Sequence, residues 1–133
     1  MKHMFDDVDE VIRVYVPPGW PGSVRPPGSS GWVATAESFL LDVCPSEYRG
    51  YQVLRRYPIV LASLAREFVA SQLVATRAGL AGVRTSLTGF VDSATVDQAA
   101  GVLQQEEARL ARVARGVDLV DQALREVRFV QKL

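Results

Sequence analysis

The chain has 133 residues, 48% of them apolar and 23% charged, with a formal net charge of zero. That length supports one domain with a modest core, and neutrality gives no whole-molecule attraction to nucleic acid or to an anionic membrane. His3 is the sole histidine and Cys44 the sole cysteine, which disfavours a metal cluster, an internal disulfide, and a Ser-His or Cys-His catalytic pair.

Residues 5–10, FDDVDE, are acidic, and residues 11–16, VIRVYV, have the β-branched character of a short strand with no evident partner strand. Residues 17–31 hold five Pro, four Gly and three Ser. Helix is excluded there, and polyproline-II geometry or irregular turns are expected. Trp20, Val24 and Trp32 are too apolar for a solvated linker, so the segment reads as an ordered strap lying across the helices. Residues 1–31 are thus an extended arm and strap, and residues 32–133 a helical domain. Pro17-Pro18-Gly19-Trp20-Pro21 and Arg25-Pro26-Pro27 also have the spacing of ligands for aromatic groove domains. The intramolecular strap is the preferred reading, and Trp20, Trp32, Arg55 and Arg56 are the candidate residues for binding a protein partner.

A first helix is expected over about 32–43, with Ala36, Phe39, Leu40 and Val43 as its apolar face and Pro45 as its stop. Residues 46–57 read as a turn plus a short helical piece. Pro58 suits the first position of a long helix over about 58–90. Asp92, Ser93 and Thr95 make the connection, and Thr95 with Gln98 has the pattern of a capping box opening a last helix over about 96–130.

The two long helices carry matched seams. One reads Ile59, Ala62, Arg66, Val69, Leu73, Thr76, Leu80, Val83, Leu87, Phe90; the other Val96, Ala99, Leu103, Glu106, Leu110, Val113, Val117, Val120, Leu124, Val127. Steps of three and four alternate in both, the mark of a supercoiled helical interface. Facing Phe90 with Val96 and proceeding outward to Ile59 with Val127 pairs every position without a skip. The fold class is therefore mainly α: a long antiparallel, coiled-coil-like helical hairpin, with the shorter helix and the strap packed at its base. In this register Glu106 lies near Arg77 and Arg84, and Arg66 near Asp118 and Asp121, so both charged seam positions act as register-fixing polar layers.

The flanks differ along the hairpin. At the base, Leu61, Leu64, Ala65, Phe68, Leu119, Ala123 and Val130 form second apolar rows that need a covering layer. Towards the tip the second row is small: Ser71, Ala75, Ala78, Gly79 and Gly82, with Ala108, Ala111 and Ala114 on the other helix. A second hairpin docking there would give a four-helix homodimer. Glu67, Arg77 and Arg84 interrupt the longest apolar runs, which places them short of a membrane span.

No cofactor, metal ligand set or catalytic residue is indicated. Arg109, Arg112 and Arg115 form a basic ridge that would serve nucleic acid, although adjacent Glu106 and Glu107 and the absence of interleaved aromatics disfavour it. Trp20, Trp32, Tyr48, Tyr51 and Phe68 are available to line an aromatic pocket at the base. The segment from Trp20 to Pro58, with WPGSVRPPG, GW, LLDVCPSEYRGY and VLRRYP, resembles small actinobacterial helical proteins with no assigned activity. The preponderance of Arg over Lys suits a GC-rich genome of that kind. The resemblance implies no site residues. The expected function is a non-enzymatic interaction or scaffolding module that self-associates through its hairpin and binds a further protein. A nucleic-acid-associated regulator and a protein with a small-ligand or enzymatic pocket at the base are the alternatives. A lone thiol, and a first segment MKHMFDD without a signal-peptide apolar run, suit the cytoplasm.

Overall fold

Proline and glycine set the path of the chain up to the first helix. In the computed structural model, which describes residues 15–131, the strap is a run of tight turns rather than a continuous polyproline-II segment. The amides of Trp20, Val24, Ser29 and Trp32 donate to the carbonyls of Pro17, Pro21, Pro26 and Ser29 at 3.1, 3.1, 3.1 and 3.2 Å. Gly19, Gly28 and Gly31 stand third in three of these turns with φ of 97°, 83° and 74°. That left-handed position suits glycine and is costly for other residues. The strand expected over 11–16 lies outside the described residues except for Tyr15 and Val16, which are irregular.

Helix α1 spans Trp32–Val43 and buries Ala36, Leu40 and Leu41. It stops where Pro45 denies the next helical amide, and the Cys44 amide closes the end on the Leu40 and Leu41 carbonyls. A 3-10 turn, Ser46–Gly50, and a short helix α2, Gln52–Arg56, follow, as the composition of 46–57 suggests. Pro58 then opens α3, Pro58–Leu87, where its missing N–H leaves nothing unsatisfied. Helix α4 spans Ser93–Leu124 and runs antiparallel to α3 over a length of about 48 Å at 1.5 Å per residue. The two long helices pack together as the expected hairpin.

Both helices end earlier than their apolar pattern implies. After Leu87, Gly89 takes φ of 90° and closes α3 three residues before the expected limit. Phe90, expected in the seam, is 84% exposed as a result. Helix α4 begins at Ser93 rather than at Val96, because Asp92 and not Thr95 is its cap: the Asp92 Oδ1 accepts from the Thr95 amide at 2.8 Å. It ends at Leu124 rather than near 130. Glu126 is left-handed at φ 67°, its amide donates to the Ala123 carbonyl, and the Val127 amide donates to the Gln122 carbonyl at 2.9 Å. This is a Schellman closure with glutamate in the place usually given to glycine. Val127 leaves the seam, and both it and its expected partner Ile59 are exposed.

The core gathers at the base of the hairpin. Leu40 and Leu41 of α1, Leu54 of α2, Leu61, Ala62, Ala65 and Val69 of α3, and Val117 and Val120 of α4 form one buried cluster with Val24 of the strap. Of the second apolar rows expected near the base, Leu61, Ala65, Leu119 and Ala123 are buried and Phe68 is half-buried, whereas Leu64 and Val130 are 40% and 82% exposed, Val130 because α4 ends before it. By length and composition α3 meets the requirement of a membrane-crossing helix, which corrects the expectation that its charges cut the apolar run too short. Of its most apolar window 22% is buried.

Candidate functional site

The surfaces the hairpin offers follow from which layers cover it. α1, α2 and the strap occupy the base, so among the described residues α3 and α4 have only each other towards the tip. Val83, Val96 and Ala100 are buried there. Leu80, Leu87 and Leu103, all seam positions, remain half-buried, because a two-helix interface leaves both of its edges open. Val74 and Val102 are 67% and 64% exposed.

The small positions of the expected self-association row do not form one stripe. Ala75, Ala78, Gly79 and Gly82 of α3 are exposed. A Cβ on Gly79 would lie 3.8 Å from Leu103 Cδ1, so Gly79 faces the partner helix, whereas a Cβ on Gly82 would meet nothing within 4 Å. On α4, Ala108 lines a depression with Val102, Glu106 and Arg109, Ala111 lines a groove beside the strap, and Ala114 lines a third hollow with Arg66 and Asp118. Their spacing of three residues drifts around the helix, which places them on different faces.

The charged seam positions divide. Arg66 meets both expected partners: its Nη1 donates to Asp121 Oδ2 at 3.3 Å, and its Nε lies 3.6 Å from Asp118 Oδ1. Asp121 is 2% exposed and also accepts from Arg125 Nε at 3.0 Å, which makes it a buried carboxylate held between two guanidiniums. Glu106 differs from expectation. It turns away from Arg77 and Arg84 and accepts from Arg109 Nε on its own helix at 2.9 Å. Arg77 pairs with Glu107 at 2.8 Å, and Arg84 with Asp97 at 2.8 Å. A carboxylate that stays half-exposed one turn from an arginine avoids the desolvation that a place inside the seam would impose. The Arg109 hydrogen bond holds the Glu106 carboxyl below its ordinary range.

The arginine ridge is likewise split. Arg109 is tied to Glu106. The stem of Arg115 lies against the strap, so that a Cβ on Gly19 would stand 2.7 Å from Arg115 Cγ. Arg112 and Arg115 line a groove of about 620 Å³ with Gly19, Pro21, Phe39 and Val113. Sequence reasoning missed this groove, since its walls come from segments some ninety residues apart.

The expected aromatic set at the base is also dispersed. Trp20 donates through Nε1 to the Val24 carbonyl at 2.8 Å and stands edge-on to Phe129, ring centroids 5.9 Å apart. Tyr48 and Tyr51 pair with each other at 5.9 Å. Trp32 alone of the five lines the base groove of about 900 Å³, beside Val33, Ile59, Val127 and Phe129. Arg55 and Arg56 are exposed on α2. Among the described residues, no group of acidic, His and Cys side chains has the arrangement of a metal site. Compared with protein-family models, with curated proteins and with solved structures, the chain finds no match.

Proposed function

We propose that this chain is a non-enzymatic protein-interaction module that self-associates through the tip of its hairpin. The observation that carries the reading is the incomplete cover there: Leu80, Leu87 and Leu103 half-buried in their own seam, with Val74 and Val102 exposed on the same two helices. A second copy laid along the tip would complete a four-helix layer. Each Val or Leu side chain it buries contributes about 1.5–3 kcal/mol. Ala75, Ala78 and Gly82 keep the α3 surface low enough for a helix to approach. Sedimentation velocity at micromolar concentration is expected to give a dimer, and Val74→Lys with Val102→Lys to give a monomer of unchanged helix content. A wild-type protein that stays monomeric at tens of micromolar would remove the proposal. The cytoplasmic setting belongs to the same reading and rests on the lone thiol Cys44.

A second reading has its own observation. The base groove, with Trp32, Ile59 and Phe129 along it, has the size and lining of a site for a small apolar ligand. Titration with an anilinonaphthalene sulfonate dye should then show saturable binding that Trp32→Ala abolishes; a dye signal indifferent to Trp32 would dismiss it. Nucleic-acid binding is the weakest reading, because Arg109 is already paired with Glu106 and Arg115 is laid along the strap.

A further inference from the structure

We propose that the groove between the strap and α4 is the docking site of the chain's own acidic segment, residues 5–10. The groove joins two chemistries. Pro21, Phe39 and Val113 supply an apolar lining, and Arg112 and Arg115 stand in the same wall. Among the described residues neither arginine forms an ion pair, a condition shared with Arg25, Arg55, Arg56 and Arg128, whereas Arg49, Arg66, Arg77, Arg84, Arg109 and Arg125 are paired; Arg112 and Arg115 stand together in this groove. The wall is also built to close tolerance. Gly116 is buried, and a Cβ on it would press against Pro21 Cγ at 3.0 Å and Phe39 Cζ at 3.4 Å, so the strap and α1 are held against α4 at the edge of the groove.

An apolar trough with two guanidiniums that have no ion pair among the described residues suits an apolar side chain flanked by carboxylates. Phe5-Asp6-Asp7-Val8-Asp9-Glu10 has that composition, with four carboxylates around Phe5 and Val8. Glu10 precedes Gly19, itself in the groove wall, by nine residues, a tether that spans up to about 30 Å. A tether of this length holds its segment at roughly millimolar effective concentration, so modest contacts suffice to occupy the groove. The apolar lining favours a peptide segment over a phosphate backbone, which would use the arginines and leave Phe39 and Val113 idle. The inference does not depend on self-association at the tip.

Amide ¹⁵N relaxation on the full chain tests it. Order parameters for Val8 and Asp9 are expected above about 0.6 in the wild type. They should fall below that value in Arg112→Glu with Arg115→Glu, in Asp6→Asn with Asp7→Asn, and in 0.5 M salt, where exposed charge pairs are screened. Circular dichroism establishes that the helices of each variant are intact, and the Asp6 and Asp7 variants leave the groove itself unaltered. Three results would overturn the proposal. One is low order parameters in the wild type, or high ones that survive charge reversal in a folded variant. Another is loss of order on dilution, which would assign the contact to a second copy. The last is a duplex oligonucleotide that binds the wild type and the Asp6→Asn, Asp7→Asn variant equally, which would give the arginines to nucleic acid.

Discussion

Among the described residues, Asp121 is the buried charged side chain, and it lies at the base of the hairpin. It is 2% exposed and accepts hydrogen bonds from Arg66 across the interface and from Arg125 one turn along its own helix. Asp121→Ala leaves two guanidiniums without their shared acceptor. Both are half-exposed and regain water, so the expected loss is roughly 1–3 kcal/mol, below that of a fully buried pair, and urea denaturation measures it. Cys44 is buried at the end of α1, and desolvation raises its thiol above the ordinary value of 9.0. At neutral pH it is a covered, protonated thiol. Its reaction with Ellman's reagent should be slow in the native protein and stoichiometric in 6 M guanidinium chloride. Rapid native labelling would show that α1 opens readily from the core.

Helix α4 depends on its first turn. The Thr95 hydroxyl and then the Thr95 amide hold the Asp92 carboxylate below its ordinary value of 3.8. Because the folded value is the lower one, the stabilisation is fully present above the unfolded-chain value. It is lost as pH falls through the folded one. Stability measured by urea denaturation should therefore fall less steeply with decreasing pH below 3.8 in Asp92→Ala than in the wild type, and Asp92→Ala should lower the melting temperature at pH 7. The elements themselves were largely legible. Two long apolar patterns with matching steps announced the hairpin, and Pro45 and Pro58 marked true boundaries. The end of α4 was not legible, because its stop lies in Glu126 taking a left-handed conformation that residue type does not advertise, while Val127 and Val130 prolong the apolar period past it. The cap at Asp92 was hidden by Thr95 and Gln98, which match a capping pattern three residues too late. Glu106 illustrates a further limit. Seam spacing placed it between helices, but Arg109 one turn away offered a pair that needs no burial.

At the scale of the molecule, the strap is the piece that converts a bare hairpin into a fold with a covered base. Trp20→Ala would lose the hydrogen bond to the Val24 carbonyl and the edge contact with Phe129, at a cost of roughly 2 kcal/mol for a half-buried tryptophan, measurable as a shift of the urea midpoint. An ordered strap followed from two tryptophans among the prolines. The grooves it creates did not, since their walls are assembled from Pro21, Phe39 and Val113 in one case and Trp32, Ile59 and Phe129 in the other, and no short pattern couples such distant positions. The Trp20–Phe129 contact carries one more consequence, and it concerns time. It joins residues near opposite ends of the described chain, whereas α3 and α4 meet through a short connection. Closing so long a loop is entropically slow compared with zipping a local hairpin. Refolding should show helix forming first and the tryptophan environment maturing afterwards. Trp20→Phe, with Trp32 as the remaining reporter, should shrink that late fluorescence phase and leave the early rise of helical ellipticity in place.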